Sequence, residues 1–362
     1  MNQERKKKVL MLYNKVWHYR IPILNLVNKQ YDLTVVYYLP SKDDDLKKCE
    51  FKTIYCPTIK IGVFLFSKIN LNKLSKEFDI VIIGFSPQVF SYYSLAFGNR
   101  RYKTIMYSIG APASYHRHYG EASKLHYAFS DFIEKRGDAM MFYSDAAVKL
   151  HLQRGFDRKK MFVANNTTYV LKRSFCPERK NSILFIGSLY MEKGIQLLLD
   201  AYKLAYQKKN DIFPLHIVGG GQALPSIREW VEENHVENNI KIWGPVYDDE
   251  KKADLFQKAY ACISPLQGGL SVLESMGYGA PYITDINAIT GGEAFNIENG
   301  KTGLRVERMS VETLSDIIID IFENSQKYIE MGQNAYNYYW RCRKPEDMAA
   351  GYLQALDYVS NL

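Results

Sequence analysis

Between positions 260 and 284 the chain sets a proline, two glycines, a serine and a glutamate where phosphate chemistry is expected. A short apolar run ends at Ser264 and Pro265. Gly268 and Gly269 follow, then Leu270, Val272, Leu273 and Met276 recur at helical spacing with Glu274 in the first turns. Strand, glycine turn and helix start are thus adjacent. That order offers backbone N–H groups and the positive end of a helix to an anion, while the glycines keep side chains out of its path. A local role fits the same letters: Ser271 and Glu274 have capping-box spacing, the serine accepting from the N3 amide and the glutamate reaching back to the cap amide. Gly277, Gly279 and Pro281 stop the helix and launch another apolar run. Upstream, Lys193 stands just ahead of an amphipathic helix and shortly after a strand ending at Gly187. An ammonium there can meet a departing diphosphate as a point charge, although an isolated Lys-Gly pair reads as a solvated surface loop. The triple glycine 219–221 also follows a strand, but it does not form G-x-G-x-x-G and lacks an acidic residue at dinucleotide spacing.

The run 264–284, S-P-L-Q-G-G-L-S-V-L-E-S-M-G-Y-G-A-P-Y-I-T, and the run 183–194, I-L-F-I-G-S-L-Y-M-E-K-G, resemble the signature regions of the retaining nucleotide-sugar glycosyltransferases with the GT-B fold, the large glycosyltransferase group 1 or family 4 type. The resemblance covers most of the C-terminal half. It implies a donor-diphosphate contact for Lys193, with Gly187 and Ser188 lining the same turn; Ser188 stands where the family usually has arginine. Glu274 resembles the residue that accepts from both ribose hydroxyls, a diol for which a carboxylate offers two acceptor oxygens. Leu266 stands where the family's first signature glutamate lies near the donor sugar, the largest departure in the chain. Gly269, Leu270 and Ser271 would hold the diphosphate through backbone amides whatever occupies position 266, with Gly268 in the same donor-binding turn. Gly219 would line the donor site and Val246 would present backbone to the base, with a packing role for Trp243. The resemblance further implies no protein nucleophile and a front-face displacement assisted by the leaving diphosphate. No cofactor or metal is expected, since Lys193, the helix start and Arg20 would supply positive charge.

These groups need a frame. Strand-like runs at 9–13, 34–39, 80–84, 103–108 and 140–143, and again at 183–187, 215–218, 240–243, 260–263 and 282–284, alternate with amphipathic segments. Parallel strands require crossovers, so two successive sets of βα units predict an α/β fold with two parallel sheets, each covered by helices on both faces. Within the resemblance this is GT-B: two Rossmann-like domains whose parallel sheets face a central cleft. A charged stretch near 171–181 with a proline marks the boundary. Residues 1–172 are expected to form the acceptor-binding domain and 173–344 the nucleotide-sugar donor domain, with the last helix, about 345–362, packing back on the first domain. Helices are expected at 311–323, 325–338 and 345–358.

In the first half, Tyr13, Trp17, His18 and Arg20 follow the first strand where the family often has a double glycine; Arg20 suits a bidentate phosphate contact and Trp17 and His18 an acceptor platform. His116 and His118 follow the fourth strand, and one of them is expected to serve as base toward the acceptor, the spacing not deciding which. Lys193 and Glu274 complete the catalytic set.

The chain has 362 residues, 47% hydrophobic and 24% charged, which suits two domains with separate cores and rules out disorder. No apolar run approaches the roughly 20 residues of a membrane span, nothing marks export, and the five cysteines are scattered without metal-ligand spacing, so a cytoplasmic protein is expected. The net charge of +8 is met by basic clusters at 5–8, 100–103, 154–160 and 172–180. Solvated faces account for these most simply; a peripheral foothold on anionic membrane at the inner face is the alternative, and nucleic acid is not expected as a partner. The expected activity is a retaining hexosyltransferase (EC 2.4) moving sugar from an NDP-sugar, UDP-linked, to a glycan or lipid-linked acceptor in surface polysaccharide biosynthesis. A non-catalytic sugar-nucleotide-binding or chaperone subunit, or an epimerase of the same fold class, are the competing readings.

Overall fold

The computed structural model describes residues 5–84, 86, 88–98, 100–112 and 117–362. It divides into two compact units. The first comprises Met1–Pro112, Gly120–Asn166 and Pro345–Leu362; the second comprises Ala113–Tyr119 and Thr167–Lys344.

The first unit is built on a seven-stranded parallel sheet of β1 (Lys8–Tyr13), β2 (Asp32–Tyr37), β3 (Lys52–Tyr55), β6 (Ile80–Gly84), β7 (Lys103–Ser108), β8 (Ala139–Phe142) and β9 (Met161–Val163), in the order β3-β2-β1-β6-β7-β8-β9. An antiparallel hairpin, β4 (Thr58–Ile61) with β5 (Phe64–Ser67), stands apart from it. Alternation along each strand sends Val9 and Met11 to one face and Leu10 and Leu12 to the other, and both sets are buried. Sheets covered on both faces read as continuous apolar runs, which is why these strands are visible in the sequence. The helix Pro345–Ser360 closes one face through Met348, Tyr352 and Leu356, beside the helix Ile21–Asn28.

The second unit carries a six-stranded parallel sheet of β10 (Ser182–Ile186), β11 (Leu215–Val218), β12 (Ile240–Gly244), β13 (Ala259–Ile263), β14 (Tyr282–Asp285) and β15 (Gly303–Val306), in the order β12-β11-β10-β13-β14-β15. Helices Ile195–Lys208 and Val311–Glu323 bury their apolar stripes against one face. Asp249–Lys258, Ser271–Gly277 and Ser325–Cys342 cover the other.

Two Rossmann-like parallel-sheet units in one chain are the components of the GT-B fold. The expected strands are all present to within a residue or two. Four parallel-sheet or hairpin features were not foreseen: β3, β9, β15 and the β4–β5 hairpin. β3, β9 and β15 are sheet-edge strands of three or four residues, too short to show a period. Residues 117–119, expected with the first domain, group with the second unit, where the Tyr119 ring meets Phe295 edge-on at 5.1 Å.

Candidate functional site

Strand order in the second unit reverses between β10 and β13, which pair directly through Ile183 with Ala261 and Leu184 with Cys262. In open parallel sheets the crevice outside the carboxyl ends of strands at such a switch point is where ligands bind. The loops leaving these two ends are 187–194 and 264–270, the ones singled out above. They are tied side by side: the Leu266 amide donates to the Lys193 carbonyl at 3.3 Å.

Gly187 makes the lysine's position available. Its missing side chain leaves room for Lys193 Nζ, which would lie 2.6 Å from a Cβ built there. Lys193 is half-buried, and burial pushes its pKa below the ordinary lysine value. Among the described residues no carboxylate lies within ion-pair distance of it, and its nearest aromatic neighbour is the Tyr190 ring, 5.6 Å from Nζ. A dehydrated ammonium without a counter-ion favours an incoming anion.

The 264–270 loop is held on both sides. Pro265 O accepts from the Asp285 amide at 2.8 Å and from Thr284 Oγ1 at 3.2 Å, while Leu266 O accepts from the Ile289 amide at 2.9 Å. Gln267 is buried and accepts from Tyr190 OH through Oε1 at 2.9 Å, and its backbone O accepts from Tyr282 OH. The Gly268 amide donates to Ile289 O at 2.9 Å, so Gly268 shapes the turn with its own amide engaged. Among the described residues nothing accepts from the amides of Gly269, Leu270 or Ser271, and a Cβ on Gly269 would meet open space.

The expected capping box is absent. The helix Ser271–Gly277 has Leu270 as its N-cap without a side-chain cap, and Ser271 Oγ lies 2.9 Å from Tyr282 OH instead. The serine is one residue too late to cap, because the turn runs into the helix at Leu270. Glu274 points to Lys252, 3.1 Å away, and Lys252 also holds Asp249 at 2.9 Å. Burial pushes the Glu274 carboxyl up and Lys252 opposes it. Burial works against charging Lys252, yet Glu274 and Asp249 outweigh it and hold the lysine above its ordinary range. Both side chains keep about a fifth of their surface in solvent, 17% for Glu274 and 21% for Lys252, so the carboxylate is reachable. Lys252 was not foreseen; its only sequence signal is a basic residue in a helix's first turns, which is unremarkable.

Leu266 leans over Gly194, where a Cβ would come within 2.8 Å of Leu266 Cγ, and it remains exposed. Ser188 is exposed. Gly219 belongs to the scaffold beside the site: its amide donates to Gly244 O, and a Cβ would sit 1.8 Å from Gly187 O. Val246 is half-buried, after β12. Trp243 packs as expected, edge-on to His216 at 5.7 Å and beneath Lys241 and Lys251.

In the first unit, β1 ends at Tyr13 beside the switch between β1 and β6. Tyr13 OH lies 3.0 Å from Tyr143 OH. Trp17 is half-buried, stacked on Tyr19 and bonded to Asn14, and His18 is exposed, so these two remain surface groups near the end of β1. Arg20 is not. It is 2% exposed, donates to Asn166 Oδ1 and to Met348 Sδ, and lies against the rings of Tyr19 and Tyr143. The expected phosphate contact is therefore corrected: the buried guanidinium ties the 3₁₀ turn His18–Arg20 to Asn166 and to the helix Pro345–Ser360. His118 is exposed on the 117–119 segment, and His116 lies outside the described residues. Among the described residues no group of three His, Cys, Asp or Glu side chains could hold a metal ion, and no helix is long and apolar enough to cross a membrane.

Residues 170–338 match the family described as glycosyl transferases group 1. The chain is 25% identical over 191 residues to a Staphylococcus aureus poly(ribitol-phosphate) alpha-N-acetylglucosaminyltransferase, covering 52% of this chain and 38% of the relative. It is 26% identical over 164 residues to a Bacillus subtilis poly(glycerol-phosphate) alpha-glucosyltransferase, covering 44% and 23%. These matches thus span well under half the length of either relative. Among solved structures, Anabaena HepE with bound UDP superposes with a TM-score of 0.71 at 16% identity, covering 98% of this chain and all of that one. A mutant form of S. aureus TarM in complex with Fondaparinux, alpha-GlcNAc-glycerol and UDP superposes at 0.68 with 14% identity, covering 96% and 99%. At such identities the likeness is one of fold.

Proposed function

We propose, for a chain whose residues 170–338 match the glycosyl transferases group 1 family on a GT-B frame, that it is a retaining glycosyltransferase moving sugar from a UDP-linked donor to a glycan or lipid-linked acceptor. One observation carries this reading. At the switch point of the second sheet, a half-buried lysine without a carboxylate partner is tied by a backbone hydrogen bond to a turn whose amides at 269–271 have no acceptor among the described residues. That is a site for two phosphoryl groups.

In this reading Lys193 and the amides of Gly269, Leu270 and Ser271 bind the diphosphate. Glu274 accepts from the ribose hydroxyls, with Lys252 keeping it ionised. Val246 presents backbone to the base and Gly187, Ser188 and Gly219 shape the floor. The C1–O bond to the β-phosphate breaks while the acceptor oxygen bonds C1 on the same face. The acceptor proton passes to the departing phosphate oxygen, whose growing charge Lys193 neutralises. Tyr13, Trp17 and His18 in the first unit, with His116 or His118, are the acceptor-side groups. The HepE and TarM structures contain UDP, which supports a uridine donor here. The likeness to the poly(ribitol-phosphate) and poly(glycerol-phosphate) transferases supports a polymeric acceptor.

Incubation with a panel of NDP-sugars, followed by NMR of the product's anomeric proton, tests this reading. Transfer with retained configuration, lost in Glu274→Ala, is expected. A second reading is favoured by Leu266 and Ser188, which replace two charged residues of the family pattern: a subunit that binds sugar nucleotide without turnover. Tight UDP binding with neither transfer nor hydrolysis for any donor would establish it.

A further inference from the structure

A single buried side chain ties together the two loops from which the donor site is built. Gln267 is 5% exposed, and on one side its backbone is clamped in a parallel bridge with Ile289: the Leu266 carbonyl accepts from the Ile289 amide and the Gly268 amide donates to the Ile289 carbonyl, both at 2.9 Å. On the other side its Oε1 accepts from Tyr190 OH at 2.9 Å. Tyr190 is the N-cap of the 3₁₀ turn Met191–Lys193, and its carbonyl accepts from the Lys193 amide at 3.1 Å, so this latch reaches the lysine's own turn. The backbone carbonyl of Gln267 accepts from Tyr282 OH at 3.2 Å, and that hydroxyl lies 2.9 Å from Oγ of Ser271, the first residue of the helix Ser271–Gly277. A continuous hydrogen-bonded series, Tyr190 to Gln267 to Tyr282 to Ser271, thus runs from the lysine turn to the amide turn.

Two features separate this network from ordinary packing. Tyr282 is fully buried at the start of β14, yet its hydroxyl is directed at the 264–271 turn rather than at its own sheet. Gln267 Nε2 has no acceptor among the described residues. A buried amide bonded only through its oxygen costs stability that an apolar side chain of similar volume would not. The contribution of Gln267 therefore lies in what Oε1 holds. It holds the separation between an ammonium and three backbone amides, and two phosphoryl groups engage both only when that separation fits them.

We propose that Gln267, through Tyr190 and Tyr282, is a positioning residue for the diphosphate, fixing Lys193 relative to the amides of Gly269, Leu270 and Ser271. The proposal rests on the donor-site reading above and adds to it residues that act only through Lys193 and the amide turn. With the latch broken, the turn Met191–Lys193 is free to shift, and the cost of ordering it falls on binding. UDP, whose β-phosphate meets Lys193 in that reading, feels this loss. UMP, which lacks that phosphate, does not.

Titration calorimetry of the full chain with UDP and with UMP tests the proposal on wild type, Tyr190→Phe, Gln267→Met and their double variant, and on Lys193→Ala with and without Tyr190→Phe. Each latch variant is expected to weaken UDP about fivefold, the worth of one hydrogen bond, with UMP within about twofold of wild type. The double variant should lose no more than either single one, since both remove the same bond, and Tyr190→Phe should have no effect on UDP once Lys193 is alanine. Unchanged UDP affinity in Tyr190→Phe overturns the proposal, as does an equal loss for UDP and UMP, which is what a merely structural residue would give. So do losses that add in the double variant or persist in Lys193→Ala. Tyr190→Phe removes a single oxygen from a half-buried ring, so the test stands even where Gln267→Met fails to fold. Wild type that binds no UDP, or Lys193→Ala that binds it as tightly as wild type, counts against the donor site and takes the proposal with it. A Lys193-dependent affinity that ignores the latch variants sinks the proposal alone.

Discussion

Replacing Lys193 with alanine tests the donor site at the point where the physics is most explicit. The ammonium is half-buried over Gly187 without a carboxylate partner among the described residues, and burial already depresses its pKa. At contact distance a unit charge pair in a site of effective dielectric about 20 is worth about 4 kcal/mol. Part of that is offset because the alanine variant no longer desolvates an ammonium, leaving a net loss of about 2–3 kcal/mol, roughly 30- to 150-fold in UDP affinity. The pH dependence follows from the same burial. An anion stabilises the charged lysine, so the bound state has the higher pKa and binding takes up a proton in the alkaline range. UDP affinity should be full below the depressed pKa of the free protein and fall as pH rises through it. Isothermal titration calorimetry in two buffers of different ionisation enthalpy measures that uptake, and Lys193→Ala should abolish it. An alanine variant that binds UDP within twofold of wild type, with the same pH profile, refutes the placement of the diphosphate.

Glu274→Gln should weaken UDP by about 1.5–3 kcal/mol, the worth of hydrogen bonds to a charged group, yet leave inhibition by inorganic pyrophosphate unchanged, because the carboxylate is assigned to ribose; parallel losses for both ligands in steady-state inhibition would count against that role. Gly219→Ala drives a Cβ to 1.8 Å from Gly187 O and should cost about 3 kcal/mol in urea unfolding, through overpacking and an unfavourable backbone conformation. Lys180 is buried, its Nζ donating to Ala259 O at 2.6 Å and Gly279 O at 2.8 Å, and burial lowers its pKa from 10.5 to about 7. The unfolded chain therefore binds more protons between about pH 7 and 10.5, so wild-type stability should rise across that window. Denaturant titrations at neutral and alkaline pH should show that slope flattened in Lys180→Met, and an unchanged slope would exclude Lys180 as its source.

The sequence by itself determined the parts of this protein that are set locally. Strands such as Val9 to Tyr13 and Ile183 to Ile186, buried on both faces, announce themselves as unbroken apolar runs, and the turn from Pro265 into the helix at Ser271 is written in its glycines. Lys193 and Glu274 could be singled out because the runs that hold them resemble the family's signature regions. Tertiary structure decided what depends on neighbours distant in the chain. Strand order, not any motif, brings the loops after β10 and β13 together and lets Leu266 bond to Lys193. Only packing shows that Gly268 has spent its amide on Ile289, that Ser271 answers Tyr282 rather than its own helix, and that Glu274 faces Lys252. Arg20 reads as a phosphate ligand because its charge is visible in the sequence while the residues enclosing it, Asn166 and Met348, lie far along the chain. The helix Lys124–Glu134 shows the limit too: its period is legible, but only the structure shows that Ile133 enters the core while Glu134 meets His151.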